Sequence, residues 1–262
     1  MRRRFSGGRR RAAGDGRCYR RAAMRLHINV DHVATLRNAR GTTYPDPVAA
    51  ARMCLDAGAH GITAHLREDR RHIRDDDVER LRGTLRATFN LETASTDEMI
   101  AIACKVGPDV VTLVPERREE RTTEGGLEVA KAGPSLRAHV ERLRAADIKV
   151  SLFIAADLAQ VEASRALGVE QIELHTGEYA HAAGDPAKAR AELDRLAAAA
   201  KRGRELGLEI AAGHGLTTKN VPALVAIPEI VELNIGHAVI ADAVFSGLTA
   251  AVRAMLAASE RR

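Results

Sequence analysis

The sequence predicts an α/β protein, and more specifically a (β/α)8 TIM barrel with additional helices. Three observations predict this fold: a length of 262 residues, eight short apolar segments rich in Val, Ile and Leu, and helical patterns that end at glycine between them. A single barrel of this class occupies about 250 residues. The predicted strands are residues 26–33, 60–67, 88–94, 109–116, 148–155, 169–177, 208–215 and 230–240.

The helices between these strands carry recognisable start and stop signals. Residues 46–57 and 185–206 each begin with Asp-Pro and are followed by glycine. An acid at the N-cap with proline in the first turn favours a helix start, and glycine after the last turn favours its end. Gly107 and Gly168 end two further helices immediately before strands, and residues 241–259 form a predicted C-terminal helix. This alternation is typical of repeated β/α units.

An open, doubly wound sheet also alternates strands and helices. That arrangement is disfavoured because no Gly-x-Gly-x-x-Gly turn follows the first strand, whereas eight units match a closed barrel.

Charge and composition divide the chain into two parts. Residues 1–23 contain nine arginines and one aspartate and so carry a charge of +8, which leaves −3 of the total +5 for residues 24–262. The first part is predicted to be a disordered Arg-rich extension and the second a single TIM-barrel catalytic domain. Three interpretations of the extension remain open: an upstream start with Met24 as the native first residue, a solvated tail, or a targeting or nucleic-acid-binding arm.

The body of the chain is predicted to have neither a nucleic-acid nor a membrane partner. It is mildly acidic, and no apolar run reaches the roughly 18 residues of a membrane span. Cys18, Cys54 and Cys104 form no Cys-x-x-Cys pair, and no secretory signal is evident, so the predicted setting is a reducing cytoplasm.

Ionisable residues collect where the predicted strands end, which is where barrel enzymes place their active sites. His65 and Arg67 are two apart and therefore point to the same side of a strand. Six of the ten histidines fall at or just after strand ends. The candidate residues are Asn29, Asp31, His32 and Arg40 near strand 1; His65, Arg67 and His72 near strand 2; Glu92 on strand 3; Thr122 in the polar segment 116–133; Glu173 and His175 on strand 6; and Gly213, His214, Gly215, Gly236 and His237 after strands 7 and 8.

Several of these residues have a structural interpretation beside the catalytic one. A buried Glu92 must be paired or have a raised pKa, so both catalysis and an ion pair with arginine remain open. Asp31 can act by orienting a neighbouring histidine. The charges of residues 116–121 are interpreted as a solvated face.

The glycines beside His214 and His237 indicate phosphate binding, because loops after strands 7 and 8 form the usual phosphate site of this fold. Arg67 and His72 are candidates for a second anion site. No metal site and no cofactor are predicted, since no metal-ligand spacing is present. No lysine lies at a predicted strand end, so a carbonyl condensation would need its amine from a substrate.

Seven sequence strings together resemble one family, the pyridoxine 5′-phosphate synthases of the deoxyxylulose-dependent vitamin B6 pathway. They are residues 29–41, 65–72, 90–92, 114–116 with 122–126, 173–177, 212–216 and 232–237, in order from Met24 to near the C-terminus. The resemblance implies a cytoplasmic homo-octamer. It also implies condensation of 1-deoxy-D-xylulose 5-phosphate with 3-amino-2-oxopropyl phosphate to pyridoxine 5′-phosphate, with release of inorganic phosphate and water.

The resemblance also implies a role for each site residue. His65 and Glu92 would be proton acceptors, His214 a proton donor, and Glu173 would stabilise a transition state. Asn29, Arg40, Gly215, Gly236 and His237 would bind the aminoketone phosphate or the product phosphate, and Asp31, His32, Arg67, His72 and Thr122 the deoxyxylulose phosphate. Residues 116–133 would form a lid. The alternative function is another TIM-barrel sugar-phosphate isomerase or aldolase.

Overall fold

Eight parallel strands close into one barrel in the order of the sequence, which confirms the predicted fold. The computed structural model describes residues 24–116 and 125–261. The strands are β1 Arg25–Asn29, β2 Gly61–His65, β3 Thr88–Ala94, β4 Val110–Val114, β5 Lys149–Ile154, β6 Gln171–His175, β7 Glu209–Gly213 and β8 Ile230–Ile235. The Arg-rich extension predicted for residues 1–23 lies outside the described residues.

Helices surround the barrel and supply its outer layer. They are α1 Asp31–Arg40, α2 Pro47–Asp56, α3 Asp75–Thr84, α4 Asp97–Val106, α5 Pro134–Ala145, α6 Leu158–Leu167, α7 Gly177–His181, α8 Pro186–Glu205, α9 Val221–Leu224, α10 His237–Ser246 and α11 Leu248–Ala258, with short 3-10 turns at Val129–Lys131 and Ala182–Gly184. As predicted, the Asp46 and Asp185 side chains accept hydrogen bonds from the first-turn N–H groups of α2 and α8. Of the helices in these ranges, none combines the length and apolar character that a membrane crossing requires.

Polar side chains fill much of the barrel interior, whereas apolar side chains face the helices. Thr63, Asn90, Thr112 and Asn234 are all buried at alternating strand positions, and their hydrogen bonds join β2, β3, β4 and β8. Barrel interiors are usually dominated by branched apolar residues. This polar chain lies directly beneath the strand ends where the site is predicted.

The predicted ends of strands 1 and 8 are wrong by the largest margin, and strands 2, 4, 6 and 7 each end two residues before the predicted position. Strand 1 was expected to reach residue 33, but β1 ends at Asn29 and α1 begins at Asp31; strand 8 was expected to reach residue 240, but β8 ends at Ile235 and α10 begins at His237. Both extensions are apolar runs, which fit a buried strand and a buried helix turn equally well. The predicted C-terminal helix is two helices, which separate at Gly247 in a backbone conformation with φ +80° and ψ 151°. After β1 and β8, residues that were expected in the strands therefore form the first turns of helices at the rim of the barrel.

Candidate active site

One cavity of about 510 Å³ opens at the C-terminal ends of the strands. Its lining contains twelve of the predicted site residues: Asn29, Asp31, His32, His65, Arg67, His72, Glu92, Glu173, His214, Gly215, Gly236 and His237. Arg40 is exposed at the end of α1 and does not line this cavity, and Thr122 lies outside the described residues. The barrel therefore gathers residues that the sequence spreads over more than 200 positions.

Asp31 connects the first two strands at the rim of the cavity. Its Oδ2 accepts a hydrogen bond from Asn29 Nδ2 at 2.8 Å, and its Oδ1 accepts one from the backbone N–H of His65, also at 2.8 Å. Asn29 Oδ1 in turn accepts from the backbone N–H of Asp31 at 2.8 Å. Asp31 therefore fixes the backbone of His65 at the end of β2.

His65 lies between two carboxyl groups. Its Nε2 is 2.8 Å from Glu116 Oε1, and its Nδ1 is 3.9 Å from Glu92 Oε2. Burial, together with the nearby charges of Glu173 and Asp31, raises the pKa of Glu92 well above the usual glutamate range. The raised pKa brings the protonated and ionised forms of Glu92 closer in free energy near neutral pH, which suits a group that exchanges protons with a substrate. The structure shows no arginine ion pair for Glu92 among the described residues.

The loop after β2 carries Arg67 and His72 and is fastened to the body of the protein. The Arg37 guanidinium and the Asn38 side-chain amide both donate to the backbone carbonyl of His72, at 3.0 and 2.8 Å. His72 Nδ1 accepts a hydrogen bond from the backbone N–H of Ile73 at 2.9 Å, so in the neutral ring Nε2 carries the proton. Burial lowers the pKa of His72, which favours this neutral form.

Glu173 stands on the inner face of β6 and belongs to the polar chain of the barrel interior. Asn234 Nδ2 donates to Glu173 Oε2 at 2.7 Å. Burial and the charge of Glu232 raise the pKa of Glu173 to about 8. A Cβ at Gly213 would lie 2.3 Å from Glu173 Oε1, so glycine is required there to admit the carboxyl group.

His214 has a backbone conformation that favours glycine. Its φ is +80°, and residues other than glycine hold such values only when the surrounding structure imposes them. The Thr176 hydroxyl lies 2.7 and 2.6 Å from the carbonyl oxygens of Gly213 and His214 and holds this turn. The ring of His214 lies 5.0 Å from that of His175, whose pKa burial lowers to about 4. Strain of this kind indicates a functional position.

The part of the cavity beside the N-termini of α1 and α10 is suited to an anion. Helices α1 and α10 both begin there, and the rings of His32 and His237 are 4.9 Å apart. A ten-residue helix presents unpaired N–H groups and a partial positive charge at its N-terminus. A Cβ at Gly236 would lie 3.0 Å from the Asn29 side chain, so glycine keeps the backbone close to the cavity. Arg67 and Arg71 line the cavity as cations.

Comparison with known proteins assigns the chain to a family. Residues 26–261 match the model of the family described as "Pyridoxal phosphate biosynthesis protein PdxJ". The chain belongs to the PdxJ family. A pyridoxine 5′-phosphate synthase from Xanthobacter autotrophicus is 56% identical over 90% of this chain and 92% of its own length, and one from Photobacterium profundum is 55% identical over 88% and 94%. Membership confirms the resemblance and the prediction of an enzyme of vitamin B6 biosynthesis.

Solved structures similar to this PdxJ-family chain support the fold alone. Thiamine phosphate pyrophosphorylase from Pyrococcus furiosus has a TM-score of 0.60 at 15% identity, over 91% of this chain and 96% of its own. Phosphoribosyl anthranilate isomerase from Thermus thermophilus has a TM-score of 0.54 at 14% identity, over 90% and 98%.

The structure also brings residues into the PdxJ-family site that sequence reasoning missed. Glu116 was interpreted as part of a solvated face, yet it contacts His65, and Asn234 was not singled out although it binds Glu173. The signal for Glu116 was its position immediately after strand 4. The signal for Asn234 was a lone amide in an otherwise apolar strand end.

One group of potential metal ligands occurs among the described residues, formed by Asp31, His65 and His72, whose ligand atoms lie within 4.8 Å of one another. Arg67 is buried in the same cavity lining. A buried guanidinium beside the group disfavours a cation there, so the residues fit an anionic substrate better than a metal.

Proposed function

We propose that the chain condenses 1-deoxy-D-xylulose 5-phosphate with 3-amino-2-oxopropyl phosphate to form pyridoxine 5′-phosphate, inorganic phosphate and water. The observation that carries this proposal is the cavity itself. It combines three proton-exchanging groups, His65, Glu92 and His214, with the Arg67 cation and the N-termini of α1 and α10 as candidate anion sites. Two phosphorylated substrates that react by repeated proton transfer need this combination.

The amine that starts the reaction comes from the aminoketone. None of the described residues that line the cavity is a lysine, so the lining offers no side-chain amine for a Schiff base. The substrate amine attacks the ketone of the sugar phosphate, and loss of water from the adduct gives an imine. Further proton transfers drive loss of the sugar phosphate group, ring closure and aromatisation.

Each acid–base residue has a position that suits one role in these steps. His65 and Glu92 face each other across 3.9 Å, which places two proton acceptors on one side of the reacting atoms. His214 is the proton donor, presented by its imposed backbone turn. Glu173, whose raised pKa favours the protonated carboxyl, stabilises a transition state by hydrogen bonding.

The phosphate groups are assigned to two neighbouring sets of cavity residues. Asp31, His32, Arg67 and His72 bind the deoxyxylulose phosphate, with Thr122 as a further proposed contact. Asn29, Gly215, Gly236 and His237 bind the aminoketone phosphate or the product phosphate, with Arg40 as a further proposed contact. The support for this division is that each set has its own anion-binding element: Arg67 in the loop after β2, and the N-terminus of α10, which begins at His237.

Self-association is part of the proposal. The large apolar side chains of Leu36, Tyr44, Val244 and Phe245 are exposed, and α1 packs against α10 in the same region. Exposed large apolar side chains that lie together mark protein interfaces. They support self-association; the proposed cytoplasmic homo-octamer is tested by size measurement in solution.

The decisive experiment supplies both substrates to the full-length protein. We expect pyridoxine 5′-phosphate and inorganic phosphate in equal amounts, with neither formed when one substrate is omitted. Conversion of one substrate alone would instead indicate a sugar-phosphate isomerase or aldolase. Absence of product from folded protein would contradict the proposal.

A further inference from the structure

Among the described residues, Glu116 is the buried carboxylate closest to the His65 ring. It lies two residues beyond the end of β4, and its side chain is 5% exposed. Oε1 is 2.8 Å from His65 Nε2, and Oε2 accepts a hydrogen bond from the backbone N–H of Glu68 at 3.1 Å. Both carboxylate oxygens are therefore engaged with the β2 end of the cavity.

The charge state of Glu116 determines the direction of its bond to His65. Burial acts to raise the pKa of Glu116, but the hydrogen bond and charge of His65, the Glu68 N–H and the charge of Arg67 lower it overall. An ionised carboxylate can only accept hydrogen bonds. His65 Nε2 must then be the donor in this pair.

A neutral imidazole that carries its proton on Nε2 has its lone pair on Nδ1. In this structure Nδ1 faces Glu92 Oε2 across 3.9 Å, which is too long for a hydrogen bond and leaves the lone pair on the side of the cavity. The other ring nitrogen, Nε2, is occupied by its contact with Glu116.

We propose that Glu116 is a positioning residue that holds His65 in the Nε2–H tautomer and so makes Nδ1 the atom that takes the substrate proton. This inference rests on the proposed function for the role of His65 as a base. When Nδ1 accepts a proton from substrate, the imidazolium formed has its Nε2–H bonded to a carboxylate, which stabilises the positive charge. The proton passes on from Nδ1 in a later step, and Glu116 gains none.

A purely structural role for Glu116 predicts different behaviour. In that case its function is the bond to the Glu68 N–H, which anchors the β2 loop. Glutamine at position 116 preserves a carbonyl oxygen for that N–H, but its amide can donate to His65 Nε2 and thereby favour the Nδ1–H tautomer. Glu116→Gln therefore separates the two roles.

The test combines neutron diffraction with steady-state kinetics on the full-length protein. In the wild type at neutral pH we expect deuterium on His65 Nε2 and none on Nδ1; in Glu116→Gln we expect it on Nδ1. For Glu116→Gln we expect kcat to fall by about ten- to a hundredfold while KM for each substrate stays within about twofold. Glu79→Gln removes an equivalent charge from an exposed pair with Lys105 and should match the wild type.

Two outcomes would overturn the proposal: deuterium on Nδ1, or on both nitrogens, of wild-type His65, and an unchanged kcat for Glu116→Gln. The neutron measurement on the wild type needs neither turnover nor the variant, so it tests the tautomer even if Glu116→Gln folds poorly. It also separates the two proposals, because failure of wild-type protein to form pyridoxine 5′-phosphate refutes the function without moving the proton on His65.

Discussion

Replacement of Asp77 by Asn should lower the stability of the protein and, through Arg37, also weaken binding of the sugar phosphate. Asp77 on α3 is fully buried, and its oxygens accept hydrogen bonds from both terminal nitrogens of Arg37 at 2.6 and 2.8 Å. The hydrogen bonds to Asp77 raise the pKa of Arg37, although burial opposes the rise, so the guanidinium stays charged. In Asp77→Asn this buried charge loses its counterion.

The size of the effect follows from burial. Removal of one partner from a buried ion pair costs about 3–5 kcal/mol. For a chain of this length each kcal/mol lowers Tm by roughly 2–4 °C, so the loss is on the order of 10 °C. Since Arg37 also donates to the His72 carbonyl, we expect KM for the sugar phosphate to rise more than KM for the aminoketone.

The assay is urea or thermal unfolding, together with kinetics for each substrate. The matched control is Glu79→Gln on the same helix, whose pair with Lys105 is exposed and should contribute less than about 1 kcal/mol. Loss of less than about 1 kcal/mol in Asp77→Asn would refute the assignment of the pair as a buried constraint. The double variant Arg37→Met with Asp77→Leu should recover much of the stability but have a raised KM, because the His72 carbonyl loses its arginine donor.

Three further predictions concern the carboxyl and histidine groups of the cavity. His65→Asn and Glu92→Gln should each lower turnover by about two orders of magnitude if both are general bases, and single-turnover measurement of proton-transfer steps checks this; wild-type turnover in either variant excludes the role. The pKa of Glu173 is raised from 4.5 to about 8, so between these pH values the native state keeps a proton on Glu173 that the unfolded state has lost. The free energy of unfolding therefore falls as the pH rises from 4.5 to about 8. Glutamine does not titrate, so the stability of Glu173→Gln relative to the wild type should increase by about 1.4 kcal/mol for each pH unit in this range. A difference in Tm between variant and wild type that does not change with pH would contradict the prediction. Gly213→Ala should displace the Glu173 carboxyl, because the new Cβ would lie 2.3 Å from Oε1; kcat is expected to fall, and a crystal structure with Glu173 unmoved would contradict the explanation.

The fold was predictable because its signals are local and repeated. Glycine stops, Asp-Pro helix starts and short apolar strands each depend on a few neighbouring residues, and the eight units agree with one another. The ends of strands 1 and 8 were not predictable in this way. Val33 and Ile240 are apolar and buried in a small cluster that they share with Ala50, and burial alone does not distinguish a strand from the first turn of a helix.

The candidate site was predictable where the position of a residue at the C-terminal end of a strand was enough to identify it. His65, Glu92 and His214 were found because they stand at strand ends, where this architecture gathers reactive groups. Glu116 was missed because a run of alternating charges has the composition of a solvated surface, and only the contact with His65 shows otherwise. Arg40 met the sequence rule, yet it lies outside the cavity lining because α1 carries it away from the rim.

The pKa values of two glutamates near His65 are shifted in opposite directions. Glu116 has a lowered pKa because the His65 ring, the Glu68 N–H and Arg67 outweigh the cost of its burial. Glu92 has a raised pKa because burial is reinforced by other carboxylates. Two phosphate groups that enter the cavity add negative charge, which raises the pKa of Glu92 further unless cations compensate. The proposed reaction therefore needs cationic groups in the cavity that offset the charge of the phosphates, so that Glu92 can release the proton that it accepts.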